Sequence, residues 1–204
     1  MKDSMSIESL PLSNLEGRGG SFLIVPILDG QVFCREKFSE EQEMIANSAI
    51  EFATDRIKPV SQILNTSLDE KLTRELFLEM GKLGFLGVDV PIEFGGMELD
   101  KTTSCIVVDC LSTCESASFM VTSSAHTGIA SLPIIWYGNE TQKKKYLPKM
   151  SSGEYIGSFS LTEPGAGSDA IAGTSEAKLN KEGTHYILNG QKLYVTNGRW
   201  ADVS

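Results

Sequence analysis

From about Ser39 apolar side chains recur every three to four residues as far as Met150, and the period then falls to about two. That pattern predicts helices first and strands after. Ser39-Glu-Glu-Gln42 fits a capping box, with acidic residues in the first turn where the helix dipole favours them, so a helix should begin there. Met44, Ile45, Ala49, Phe52, Ala53 and Ile57 form its core face, and Pro59 ends or kinks it. A second helix is predicted from Asp69 to Leu83, with Leu72, Leu76, Met80 and Leu83 along one side and Gly84 as terminator. Thr102 to Glu115 and Ala117 to Tyr137, separated near Ser116, read as helices apolar on nearly every side, which places them at the centre of a bundle. Small residues in the second of these (Ser123, Ser124, Ala125, Gly128, Ala130) let another backbone or a flat ligand come close. A further helix starts after Gly138 and runs to Met150.

Residues 1–37 lack a sustained period and predict a flexible N-terminal arm, 38–152 a helical domain, and 153–204 part of a β domain. Within the last region Ile156 to Thr162 reads as a strand that Pro164 terminates. Gly173 to Leu179, Thr184 to Leu188 and Gln191 to Thr196 read as further strands, and Asn189-Gly190 is a strong hairpin signal. The expected fold class is α+β: an all-α helical bundle followed by an incomplete antiparallel meander, with no βαβ unit.

A net charge of −9 with few clustered bases argues against a nucleic-acid or anionic-membrane partner. No apolar run is long enough to span a bilayer and no secretory signal opens the chain, so the expected location is cytoplasmic, or mitochondrial in a eukaryote although no clear transit peptide is seen. Cys34, Cys105, Cys110 and Cys114 show no Cys-x-x-Cys spacing and read as small hydrophobes, the last three buried and reduced in a helix. A metal site from Cys110, Cys114 and His126 is outweighed by that reading, and His126 by a hydrogen-bonded core role. Glu93 and the Lys143-Lys144-Lys145 run read as solvated surface.

The candidate chemistry lies in Phe159 to Asp169, where a strand runs into a glycine-bearing loop. Gly165 and Gly167 permit positive φ and close approach of a ligand, and the exposed N–H groups of such a loop suit a phosphate. Thr162 and Ser168 add hydroxyls that donate and accept. By these residues alone, a plain turn explains the loop equally well.

The string Thr162-Glu-Pro-Gly-Ala-Gly-Ser-Asp169, followed by Asn189-Gly-Gln-Lys192 and Tyr194-Val-Thr-Asn-Gly198, resembles the flavin-binding segment of the acyl-CoA dehydrogenases. The resemblance reaches back to about Gly19, and Gly19-Gly-Ser-Phe-Leu23 resembles the very-long-chain-like branch. It implies FAD as cofactor, an acyl-CoA thioester as substrate, α,β-dehydrogenation with hydride transfer to flavin N5, an electron-transfer flavoprotein as acceptor, and a homodimer or homotetramer. By matching of motifs, Phe159, Ser160, Leu161, Thr162, Gly167 and Ser168 line the flavin and its pyrophosphate, Ser168 also nears the CoA part of the substrate, and Tyr194, Val195 and Thr196 cover the ring, with Thr196 at its N5/O4 edge.

Two departures qualify these expectations. Tyr194 stands where the family usually has tryptophan, which keeps an aromatic surface but alters the stacking. The sequence ends at Ser204, before the C-terminal helical domain that in this family carries the catalytic glutamate, so no catalytic residue is expected here and the chain is expected to be inactive alone. A non-catalytic remnant that binds flavin or another subunit, and an acyl-CoA oxidase-type relative, are the alternatives.

Overall fold

A computed structural model describes residues 35–67 and 69–204. Most of the predicted arm, with Cys34 and the Gly19 to Leu23 string, lies outside the described residues. By internal contacts the chain divides into Met1–Glu43 and Met44–Ser204. In the first unit the expected capping box is present: the Gln42 N–H donates to Ser39 Oγ and the Ser39 N–H to Gln42 Oε1, both at 3.1 Å.

The second unit is helical as far as Ser151. Helix α1 (Glu40–Phe52), whose first four residues belong to the first unit, buries Ala46, Ala49 and Phe52, and then widens into a π-helical stretch, Ala53–Ile57. Pro59 falls in a 3-10 turn, Lys58–Val60, that re-aims the chain into α2 (Ser61–Thr66), so the proline kinks the run rather than ending it. Helix α3 (Glu70–Lys82) is capped by Asp69, whose carboxylate accepts from the Leu72 N–H at 3.0 Å. It buries Thr73, Leu76, Phe77 and Met80, while Leu83 at its end is exposed. Gly84 follows with φ +81°, as a helix terminator should. Glu93 sits exposed in the turn Ile92–Phe94.

Helices α4 (Lys101–Leu111), α5 (Ala117–Ser124), α6 (Ser131–Tyr137) and α7 (Glu140–Ser151) complete this part. Helix α5 packs against α2 and α4, and α6 against α7. The core gathers Phe77, Phe119 and His126, with ring centroids 5.8 Å apart for Phe77–Phe119 and 5.3 Å for Phe77–His126, both edge-to-face. Val90, Phe94 and Leu147 form another buried cluster, covered by Ile134 and Ile135.

The expected pair of all-round apolar helices needs correction. Helix α4 buries one stripe, Thr103, Ile106, Val107, Cys110 and Leu111, at the three-and-four spacing of a one-sided helix. Cys105 falls outside the stripe and is exposed; only Cys110 and Cys114 are buried. The predicted helix from Ala117 to Tyr137 is α5 and α6 joined by a π-helical turn, Ala125–Ala130, and it exposes Val121, Ile129, Trp136 and Tyr137.

After α7 the helical pattern stops. The sheet among the described residues is one antiparallel hairpin, β1 (Glu176–Leu179) with β2 (Tyr186–Asn189), so the α+β class holds but the meander does not. Ile156 to Thr162 is not a strand: Gly157 alone makes a bridge, parallel to Val203, and the segment's other bonded backbone groups are met by side chains and loops. Gln191 to Thr196 is not a strand either, and Tyr194 in its middle has φ +55°. The hairpin turns at Asn180-Lys-Glu-Gly183, the connection between the predicted runs Gly173 to Leu179 and Thr184 to Leu188, whereas Asn189-Gly190 makes no hairpin. The Asn180 side-chain oxygen accepts from the Thr184 and His185 N–H groups at 2.8 and 3.1 Å, and Gly183 takes φ +70°. None of the described helices is long and apolar enough to cross a membrane.

Thiol labelling of the native protein, located by peptide mass, should modify Cys105 rapidly and leave Cys110 and Cys114 unmodified until denaturant is added. Rapid labelling of Cys114, which has no exposed surface, would contradict this packing.

Candidate functional site

The chain leaves α7 through Gly153, whose φ is +79° and whose missing Cβ would collide with the Phe77 carbonyl. A network of long-range bonds then fixes the next segment. Asp202 accepts from the Ile156 N–H at 2.8 Å through its carboxylate, and its own N–H donates to Ile156 O at 2.8 Å. Arg74 on α3 grips the same carboxylate at 2.9 Å and the Trp200 carbonyl at 2.7 Å.

Gly157 is held on both sides of its backbone. Its N–H donates to His126 Nδ1 at 2.9 Å, and its carbonyl accepts from Asn197 Nδ2 at 3.0 Å. The same Asn197 amide donates to Thr122 O on α5 at 3.0 Å. Because His126 Nδ1 accepts, the ring proton is on Nε2, which donates to Met150 O at 3.1 Å. The imidazole is fully buried and neutral, with its pKa lowered to about 4 by desolvation. The π turn presents this ring inward, and Ser131 Oγ bonds the His126 carbonyl at 2.7 Å. A side chain at Gly157 would press on Ala130 Cβ and Met150 Cε, each 2.7 Å from its Cβ position, so only glycine fits between helix and loop.

Beyond Gly157 the chain forms the candidate loop. Glu163 and Ala166 exchange N–H···O bonds of 3.0 and 3.1 Å, which closes the Glu163-Pro-Gly-Ala166 turn. The Glu163 side chain is 4% exposed and ion-paired with Lys192 at 2.7 Å. It also accepts from the N–H groups of Thr174 and Ser175, at 2.5 and 3.1 Å. Lys192, Ser175 and Thr174 together hold its carboxyl far below the usual carboxylate range. An anion so fully satisfied is a poor proton acceptor. Lys192 also donates to Leu161 O at 3.0 Å, and the Leu193 N–H to Thr162 O at 2.8 Å.

The structure thus brings Leu161 and Thr162 against Lys192 and Leu193, beside Tyr194. Phe159, Leu161 and Tyr194 stay exposed, Tyr194 almost completely at 91%. Thr162, Val195 and Thr196 are half-buried, and Ser160 Oγ bonds Ser204 Oγ at 2.8 Å. Gly167 and Ser168 lie on the outer turn, and no hydrogen bond among the described residues joins Ser168 to Tyr194, Val195 or Thr196. Gly165 and Gly167 do not use the positive φ they permit; a Cβ at either would meet open space, so what they leave is an uncovered backbone. Sequence reasoning missed Arg74 and Asp202 altogether. Lys192 and Asn197 stood in the quoted motifs, but only Asn197 carried a usable signal: an asparagine before a glycine, here with φ +66°.

Residues 39–154 match the acyl-CoA dehydrogenase N-terminal domain family, and residues 158–204 match the acyl-CoA dehydrogenase middle domain family. The chain belongs to the acyl-CoA dehydrogenase family. It is 42% identical over 187 residues to a probable acyl-CoA dehydrogenase of Bacillus subtilis (strain 168), a match that covers 91% of this chain and 31% of the relative. It is 38% identical over 165 residues to the mitochondrial isovaleryl-CoA dehydrogenase of Bos taurus, which covers 81% of this chain and 38% of that protein. The crystal structure of an acyl-CoA dehydrogenase complexed with FAD from Bacillus anthracis superposes with a TM-score of 0.84 at 46% identity, over 90% of this chain and 31% of the other. The chain therefore spans about a third of the length of these relatives.

In this acyl-CoA dehydrogenase chain the His126 contacts tie stability to pH. The folded state keeps the imidazole neutral down to about pH 4, whereas the unfolded chain takes up a proton near pH 6.5, so stability falls as pH drops between those values. The loss should reach about 3 kcal/mol. Urea unfolding across that range checks it, with His126→Gln expected to flatten the slope.

Proposed function

We propose that this chain supplies the helical wall and the flavin-binding loop of an FAD-dependent acyl-CoA dehydrogenase, which removes two hydrogens from the α,β bond of an acyl-CoA thioester. The observation that carries this reading is the cross-linking of Leu161 and Thr162 to Lys192 and Leu193, which sets two motif segments side by side with their outer surfaces free.

The residues fit the cofactor. The N–H groups of Thr162, Gly167, Ser168 and Thr196 have no acceptor among the described residues, and the Thr196 hydroxyl has no partner there. Exposed Phe159, Leu161 and Tyr194 offer apolar surface beside those donors. A flat apolar ring with polar edges, joined to phosphates, requires that combination. Phe159, Ser160, Leu161, Thr162, Tyr194, Val195 and Thr196 would hold the ring and Gly167 and Ser168 the phosphates, with Ser168 also near the CoA part of the substrate. When bound, FAD supplies the acceptor for a hydride at flavin N5.

The chain's own part is alignment and exclusion of water. The donors at Thr162 and Thr196 orient the ring, and the anchored segment from Ile156 to Phe159 keeps that surface at a fixed distance from α5. Glu163 is not the base for the α-proton, since its oxygens are committed to Lys192, Thr174 and Ser175. The family resemblance assigns that task to a glutamate of the C-terminal helical domain. An electron-transfer flavoprotein as acceptor and a homodimeric or homotetrameric assembly belong to the same reading. The string Gly19 to Leu23 supports placing the protein in the very-long-chain-like branch.

The test uses the full-length protein that contains this chain. It should purify with visible flavin bands, and anaerobic mixing with acyl-CoA should bleach them. Thr196→Val should slow bleaching on the order of tenfold, the loss of one hydrogen bond to a ring that gains charge, while stability changes by less than about 0.5 kcal/mol. An unaltered rate would remove Thr196 from the site.

A further inference from the structure

Lys192 and Glu163 meet beneath the loop from segments 29 residues apart. The ammonium bonds two oxygens, Glu163 Oε1 at 2.7 Å and the Leu161 carbonyl at 3.0 Å. Thr174 and Ser175 occupy the rest of the carboxylate, so the Glu163 oxygens are fully committed. Lys192 is 31% exposed and Glu163 4%, and an ion pair so placed, partly screened on one side and desolvated on the other, contributes little net stability. What it provides is a fixed geometry.

That geometry bears on one peptide group. In a trans peptide the carbonyl and the following N–H point in opposite directions, so turning Leu161 O onto Lys192 turns the Thr162 N–H away from the pair. Thr162 O is tied in turn to the Leu193 N–H at 2.8 Å, which holds the next peptide as well. The Thr162 N–H has no acceptor among the described residues, while the Leu161 side chain beside it is 48% exposed. A charged donor on the carbonyl also polarises the peptide and strengthens its N–H as a donor.

We propose that Glu163 and Lys192 are a positioning pair that presets the Leu161–Thr162 peptide, so that the Thr162 N–H donates to a polar edge of the flavin ring. This rests on the proposed function. Glu163 holds the ammonium in place, and Lys192 aims and polarises the peptide. Neither touches the reacting atoms. Because the donor faces a ring that becomes more electron-rich on reduction, loss of the pair should alter flavin potential as well as affinity.

The experiment takes the full-length protein and measures FAD affinity by titration of the apoprotein, together with the flavin midpoint potential. Lys192→Met should weaken FAD binding by about tenfold or more and lower the midpoint potential, and Lys192→Arg should restore most of both. Lys192→Met alone leaves a buried carboxylate unpaired, so the double variant Glu163→Gln/Lys192→Met guards against a simple folding defect. It should keep the thermal midpoint of the apoprotein and still lose affinity and potential. A double variant that binds FAD with wild-type affinity and potential overturns this inference alone. A full-length wild type that takes up no FAD overturns the proposed function and this inference together.

Discussion

The Gly157 backbone is bonded on both polar sides by side chains that lie 31 and 40 residues away in the chain, His126 through its N–H and Asn197 through its carbonyl. Both partners are buried, so each of these groups would be left unsatisfied in a dry environment if the other moved. The arrangement demands a glycine, a neutral imidazole with its proton on Nε2, and a π turn that swings His126 toward the loop rather than along the helix face. Remove any of these and the first residues after α7 lose their distance from α5. The rest of the site is hung from that point.

Charged groups then fasten what the glycine starts. Arg74 and Asp202 join α3 to the last residues described, and Glu163 and Lys192 join the loop to the segment after the hairpin. The two pairs work at different depths. Arg74 and Asp202 keep 30% and 29% of their side-chain surface in solvent, so salt screens part of their attraction, and much of their worth lies in directed bonds to the Trp200 carbonyl and the Ile156 N–H. Glu163, at 4%, is anchored by donors on several sides, and its hold on Thr174 and Ser175 is what attaches the hairpin that follows.

Much of the helical part was legible because its signals are local. The Ser39–Gln42 box, Leu76 and Met80 on the buried side of α3 and the left-handed Gly84 each involve residues within a turn or two of one another, and each appears where the pattern put it. The family was legible from two dense strings for a related reason: the order and identity of such residues survive without any knowledge of contacts. What failed depends on distant neighbours. Ile156 to Thr162 has strand composition, but a strand needs a partner, and here the partners are His126, Asn197, Asp202 and Lys192. Cys105 has the chemistry of a buried residue, yet the stripe of α4 is set by the helices against it. Tyr194 looked like a strand aromatic and adopts φ +55° with its ring in solvent.

The division between anchored and free groups bears directly on binding. An isolated two-stranded hairpin is marginal in water, and β1 and β2 are exposed along their whole length, so their own pairing cannot hold the loop in shape. The loop is held instead at its two ends, by Gly157 and the Glu163–Lys192 pair on one side and by Thr174 and Ser175 bonded to the Glu163 carboxylate on the other, while the outer turn at Gly165 to Ser168 makes few bonds of its own. A loop fixed throughout by internal bonds would have no donors left for a ligand, and one fixed nowhere would lose conformational entropy on binding, at about 1 to 2 kcal/mol per residue ordered. Anchoring the ends and leaving the intervening N–H groups unpaired avoids both costs, because the donors are already oriented and still unspent when a ligand arrives.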